Sequence, residues 1–213
     1  MTSHIISQFI EVPASAQSIA QRKLVYGIGI NDADYQIKIT ANGNERKCPF
    51  YRTWQSMLTR CFCKKYHARQ PTYKKCDVSK EWLVFSNFKK WMESQNWLGM
   101  QLDKDIINPM NKLYSKENCV FVSRKLNNLL NDQKNRRGKW PIGVAFNKRR
   151  QLYISECYAN GESNYLGSFN TPEEASQAYK QFKSNHITEI ASQQTDERIK
   201  NGLLKYAELL RIS

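Results

Sequence analysis

The chain has 213 residues, 40% of them hydrophobic and 12% aromatic, which is enough for one or two packed cores and too much for a chain that stays disordered. Its 33 Lys and Arg outweigh 19 Asp and Glu, a formal net charge of +14, so an anionic partner is expected. No stretch approaches the roughly 18 consecutive apolar residues of a membrane span, and residues 1–12 carry neither a basic leader nor a long apolar run; a cytoplasmic protein is expected. A membrane surface would require an amphipathic helix with its cations on one face, whereas these cations are scattered along loops and strands, so nucleic acid is favoured.

Residues 1–22 are polar, with one apolar group (Ile5, Ile6, Phe9, Ile10) and a break at Pro13, and form either an arm or a short helix packed on the body. Residues 24–39 alternate around the turn signals Gly27, Gly29 and Asn31-Asp32, which predicts a hairpin. Gly27-Ile28-Gly29 has no helix start behind it and carries little weight as a phosphate loop. From Phe50 the period changes. Tyr51, Trp54, Met57, Leu58 and Cys61 stand at helical spacing, as do Trp82, Phe85, Phe88, Trp91 and Met92, predicting two amphipathic helices around a loop that contains Pro71 and Tyr73. Such an aromatic stripe is read as core. Short strands are predicted at 100–103 and 119–122 across a polar loop, then a helix over 124–131 capped by Ser123.

Lys134, Arg136, Arg137, Lys139, Lys148, Arg149 and Arg150 then follow with no acidic residue among them. On a chain of average charge this would be a solvated basic loop; here the local excess agrees with the global one. A cationic tract feeding a small sheet suits a duplex, whose phosphates need counter-charge and whose major groove admits a narrow β-surface. Strands are predicted at 143–146, 152–158 and 164–169, with Asn160-Gly161 as a tight turn. Alternation puts Leu152 and Tyr153 on opposite faces without saying which is core. Thr171, Pro172 and Glu174 spell a capped helix start, and Ala175, Ala178, Tyr179 and Phe182 give that helix one apolar face. A last helix spans about 195–210.

The expected fold is α+β: an aromatic-rich helical region with a ββα element, then a three-stranded antiparallel sheet on one helix, plus a terminal helix. The expected organisation is an arm at 1–22, a ββα module with supporting helices at 23–132, a basic linker at 133–142, a DNA-binding domain at 143–190 and a C-terminal helix at 191–213.

The run Gly143-Val144-Ala145-Phe146-Asn147-Lys148-Arg149-Arg150, then Tyr165-Leu166-Gly167-Ser168-Phe169-Asn170-Thr171-Pro172-Glu173-Glu174-Ala175 and Ala178-Tyr179, resembles the Apetala-two domain of the ethylene-response-factor type, found also in mobile-element endonucleases. The resemblance implies a three-stranded sheet lying in the major groove. Its DNA-facing positions fall on Asn147, Lys148, Arg149, Glu156, Tyr158, Ser163 and Tyr165. Ala145, Tyr158 and Ser163 replace the arginines usual there, so phosphate contacts rather than base readout are expected to dominate.

The middle of the chain, Leu102-Asp103-Lys104-Asp105, Tyr114 through Ser123 and Asn127, resembles the HNH, or ββα-metal, nucleases in their phage-borne form. The resemblance places the metal positions on Asp103 and Asn127, the loop asparagine on Asn118 and Lys104 where the catalytic histidine stands. A lysine, with an ordinary pKa near about 10.4, stays protonated at neutral pH and repels a metal ion. His4, His67 and His186 lie outside the motif, although His67 sits in a loop that could swing in.

The favoured function is therefore duplex DNA binding on a degenerate nuclease scaffold, in the cytoplasm of a bacterial host, with no cofactor required. One alternative is a homing-type endonuclease using Mg²⁺ on Asp103 and Asn127, with Asp105 able to share the ion from the same strand face. Solvated acids or an ion pair to Lys104 or Lys112 explain the two aspartates as well. The other alternative is an interaction protein that docks an acidic host factor. The six cysteines lack zinc-knuckle spacing. Convergence of Cys48, Cys61, Cys76 and Cys119 on zinc is an open possibility beside reduced core thiols.

Overall fold

A computed structural model describes residues 9–41, 43–130 and 139–212. They form an α+β chain of two compact units, one of the described residues within 1–104 and 111–121, the other of those within 105–110 and 122–213.

The first unit is built around the aromatic stripe. Helix α2 (Pro49–Phe62) buries Tyr51, Trp54, Met57, Leu58 and Cys61, and α4 (Phe85–Glu93) buries Phe85, Phe88 and Met92. Trp82 stands just before α4 in a 3₁₀ turn, Lys80–Leu83, where its carbonyl accepts the Trp54 Nε1–H at 2.7 Å. Trp54 also meets Tyr51 and Phe85 at centroid distances of 5.4 and 5.5 Å, the spacing at which aromatic pairs attract beyond their area burial. The expected loop after α2 holds α3 (Lys64–Arg69), a 3₁₀ turn at Pro71–Tyr73 and β3 (Asp77–Val78), which pairs in parallel with β5 (Leu113–Tyr114). β4 (Gln101–Asp103) pairs with β6 (Val120–Val122), as the two expected short strands require.

Two expectations about the beginning of the chain change. Residues 24–39 do not form a hairpin. They make a tight turn at Val25–Gly29 and run on through isolated bridges, because Gly29 lies against Trp54 and Leu58, where a Cβ would come within 2.4 Å of Leu58 Cδ1. That close approach accounts for Gly29, and a left-handed φ of +77° for Gly27, without phosphate binding. The hairpin is β1 (Lys38–Ala41) with β2 (Asn44–Lys47). The described part of the N-terminal segment is integral: α1 (Ala16–Ala20) is capped by Ser15, and the Arg22 guanidinium donates to the carbonyls of Asn31, Ala33 and Tyr35.

The second unit contains the expected sheet, β7 (Val144–Asn147), β8 (Leu152–Ala159) and β9 (Glu162–Phe169), antiparallel in that order. Asn160 and Gly161 both have positive φ, +55° and +91°, the two-residue turn whose twist matches a hairpin. Helix α6 (Pro172–Ser192) starts with a complete capping box: the Thr171 hydroxyl accepts the Glu174 N–H, and the Glu174 carboxylate accepts the Thr171 N–H. It packs on the sheet and on α7 (Glu197–Ile212), to whose Ala207 carbonyl Ser184 donates at 2.8 Å.

Helix α5 (Arg124–Leu129), capped by Ser123, belongs to this second unit rather than to the module ending at 132, and Tyr206 of α7 donates to the Leu130 carbonyl at 3.5 Å. Residues 105–110 join it because Gly202 of α7 presses on the Ile106 backbone, where a Cβ would approach the carbonyl oxygen within 2.0 Å.

Gly143 opens β7 at φ +75°, against the Tyr179 ring; a Cβ there would fall 2.0 Å from Tyr179 Cδ2. Gly143→Ala combines left-handed strain with overpacking and is expected to cost the second unit about 2–4 kcal/mol. Gly99→Ala, at φ +71° in open space, should cost about 1–2 kcal/mol, the strain alone. Urea midpoints of the two variants check the difference, and equal losses would refute the packing contact.

Candidate nucleic-acid interface

The β7–β8 connection is residues 148–151, held from within. The Asn147 Oδ1 accepts the backbone N–H groups of Arg149 and Arg150, both at 3.1 Å, Gln151 Nε2 donates to the Lys148 carbonyl at 2.7 Å, and Gln151 closes the turn at φ +54°. Lys148, Arg149 and Arg150 therefore project from an ordered turn, all exposed. Among the described residues none of the three pairs with a carboxylate. Asn147, expected among the DNA-facing side chains, is half-buried with its Oδ1 occupied as the turn's acceptor.

In β8, Ser155, Cys157 and Ala159 are buried while Glu156 and Tyr158 are exposed. Glu156 pairs with Tyr165 and Tyr158 with Ser163, after a bulge that leaves Leu166 unopposed. The expected residues Glu156, Tyr158, Ser163 and Tyr165 thus share one exposed face, away from the buried row. Tyr158 is 71% and Tyr165 60% exposed, yet their hydroxyls are taken, Tyr158 donating to the Gly161 carbonyl and Tyr165 bonded to Ser168 Oγ, each at 2.8 Å. The face offers fixed aromatic rings and one carboxylate, with its cations gathered at the turn. Tyr153 is settled by packing: it opposes Phe146 in register and meets the Trp140 ring edge-on at 4.8 Å. Lys139 lies 4.5 Å over the outer ring, Trp140. Lys134, Arg136 and Arg137 lie outside the described residues.

The residues of the second motif are distributed differently. Asp103, Lys104 and Asn118 belong to the first unit and Asn127 to the second. Lys104 is only 4% exposed. Its ammonium donates to the Asn111 carbonyl at 2.9 Å and sits 5.8 Å from the Tyr114 ring centroid, while Asn111 Nδ2 returns a bond to the Lys104 carbonyl at 3.1 Å. Lys104 ties a loop together. Asn118 Nδ2 is directed to the Leu113 carbonyl at 3.4 Å, and Asp103 and Asn127 are half-buried. Asp103 and Asp105 fall in different units. His67 does not swing free: its Nε2 lies 2.8 Å from the Arg60 carbonyl.

Among the described residues no three His, Cys, Asp or Glu side chains gather in a metal-holding group. Burial, reinforced by Cys76 and Asp77, pushes the Cys61 thiol up to about 12.

Sequence reasoning missed a cleft of about 450 Å³ in the second unit, lined by Lys125 of α5, the tip of the β8–β9 hairpin, and Lys183 and His186 of α6. His186 is 8% exposed. Burial first, then Lys183 and Lys125, lower its pKa from the ordinary 6.5, with Glu189 opposing. The unfolded chain binds this proton more readily than the folded one, so the histidine's contribution to stability is intact above pH about 6.5 and lost as pH falls through the folded-state value. The melting temperature should drop as pH falls below about 6.5, less steeply in His186→Gln. Parallel slopes for variant and parent would contradict this.

No helix among the described residues is long and apolar enough to cross a membrane. Comparison with family models, curated proteins and solved structures finds no match for this chain.

Proposed function

We propose that this protein binds duplex DNA through its second unit, with the Lys148-Arg149-Arg150 turn on the phosphates and the Glu156, Tyr158, Ser163, Tyr165 face in the major groove. The observation that carries the reading is the cluster of three unpaired cations on a turn fixed by Asn147, beside an exposed three-stranded face. Backbone contacts set affinity and register; the scarcity of arginine on the face predicts little sequence preference. The resemblance to Apetala-two domains supports this mode, and the resemblance to phage-borne HNH proteins suggests action on DNA in a bacterial host cell.

For the first unit we favour a scaffold over a nuclease, because Lys104 is buried and committed to the Asn111 carbonyl where an HNH site needs a base open to water. No cofactor is needed for the proposed binding. Fluorescence anisotropy with a labelled duplex at low salt tests the reading. Affinity of roughly 10⁻⁶ M or tighter, weakening steeply with salt, is expected. No binding would overturn it in favour of docking an acidic protein. Supercoiled plasmid should remain uncut with Mg²⁺; nicking abolished by Asp103→Ala would install the endonuclease reading instead.

A further inference from the structure

We infer that the cleft between α5, the β8–β9 hairpin tip and α6 is a binding site for a nucleoside monophosphate, either free or as the phosphorylated end of a nucleic acid strand. Its volume, about 450 Å³, is that of a small-molecule site. Its charge is unbalanced. Lys125 and Lys183 both line it, and neither makes an ion pair or hydrogen bond among the described residues. Lys183 is half-buried, and burial lowers its pKa with only the Cys157 thiol opposing, so the ammonium is held out of water without a counter-charge. An uncompensated cation in such a place is stabilised by a bound anion. The one carboxylate on the wall, Glu189, leans to solvent at 62% exposure and stands 3.9 Å from His186 Nδ1, so it does not neutralise the lysines.

The rest of the wall selects more than a bare phosphate. The Tyr158 ring is fixed by its hydroxyl bond to the Gly161 carbonyl and offers a stacking surface at the cleft. Asn128, Asn160 and Gln193 also line it, and their side-chain amides have no partner among the described residues. An amide presents a donor beside an acceptor, the pattern that matches the edge of a nucleobase. Cations for phosphate, a ring for stacking and free amides for a base edge converge in one space of nucleotide size. This site shares Tyr158 with the proposed duplex-binding face but uses neither the 148–150 turn nor Glu156, Ser163 and Tyr165, so the two readings fail separately.

Isothermal titration of the whole protein tests it, with 5′-AMP, 5′-CMP, adenosine, inorganic phosphate and a short single strand carrying a 5′-phosphate as probes. A nucleotide or the phosphorylated strand should bind at one saturable site, at least about tenfold more tightly than either adenosine or inorganic phosphate. Lys183→Gln and Lys125→Gln should each weaken that binding about tenfold or more without lowering the melting temperature of the protein, because neither lysine holds a structural bond. Tighter binding of the phosphorylated strand than of any mononucleotide assigns the site to strand ends, and the reverse assigns it to free nucleotide. Absence of saturable binding by any probe at about 1 mM, binding of phosphate alone as tight as 5′-AMP, or binding unchanged in both lysine variants would overturn the inference. A protein in which Lys148, Arg149 and Arg150 are neutralised should retain the nucleotide site, which separates this result from the fate of duplex binding.

Discussion

Neutralising Lys148, Arg149 and Arg150 together as glutamines is expected to lower affinity for duplex DNA roughly 10²- to 10³-fold at 50 mM salt and to flatten the salt dependence by about 2.7 units of slope. Each cation placed on a phosphate releases condensed counterions and contributes about 0.9 to the slope, so three contacts supply the difference. The effect is separable from folding. The turn is held by Asn147 Oδ1 and Gln151 Nε2 bonds to backbone groups, and the three cationic side chains are exposed and unpaired. Exposed substitutions of this kind change stability by about 0.5 kcal/mol or less. Glu156→Gln, which removes the carboxylate from the same face, should move affinity in the opposite direction. A triple variant that binds as well as its parent, with the same slope, would show that this turn does not meet phosphate.

Trp54→Ala should remove most of the stability of the first unit, about 4–6 kcal/mol against the 5–15 that a domain of this kind possesses. The indole is completely buried, contacts two other rings and donates to the Trp82 carbonyl across the α2–α4 packing. Truncation leaves a cavity among Tyr51, Leu58 and Phe85 and also strands that carbonyl without its donor, and the two costs add. Trp54→Phe keeps most of the volume and loses the hydrogen bond, so it should cost about 1–3 kcal/mol. Urea unfolding followed by far-ultraviolet circular dichroism separates the two. A loss below about 1 kcal/mol in the alanine variant would mean that the stripe is not the core.

The elements readable from the sequence are those whose side chains carry the full period or the full cap. Tyr51, Trp54, Met57, Leu58 and Cys61 recur at helical spacing and are all buried on α2, and Thr171, Pro172 and Glu174 close a complete capping box. Asn160-Gly161 admits the φ values a hairpin turn demands. The failures have equally local causes. Alternation around Gly27 and Gly29 imitated a strand, although Gly29 is small for the sake of Trp54 and Leu58. The true hairpin, Lys38–Ala41 with Asn44–Lys47, is largely exposed and so lacks any apolar rhythm. β3 and β5 have two residues each, too few to carry a period.

Site residues divide the same way. The resemblance placed Glu156, Tyr158, Ser163 and Tyr165 together, and the β8–β9 register puts them on one exposed face. The part Asn147 plays in the turn was not legible, because it depends on the backbone N–H groups that follow it rather than on its type. Lys104, flanked by Asp103 and Asp105, has the sequence context of a surface residue, and only the folding of the loop onto Asn111 buries it. Lys125, Lys183 and His186 come from helices separated by the whole three-stranded sheet, so nothing in their own neighbourhoods announces a cleft.

Hydroxyl-radical footprinting of the tyrosines with and without duplex DNA addresses the central claim most directly. Tyr158 and Tyr165, at 71% and 60% exposure, should react readily in the free protein and be protected once duplex is bound, while Tyr26, at 42% exposure in the first unit, keeps its reactivity. Binding that leaves Tyr158 and Tyr165 as reactive as before would contradict a sheet seated in the groove.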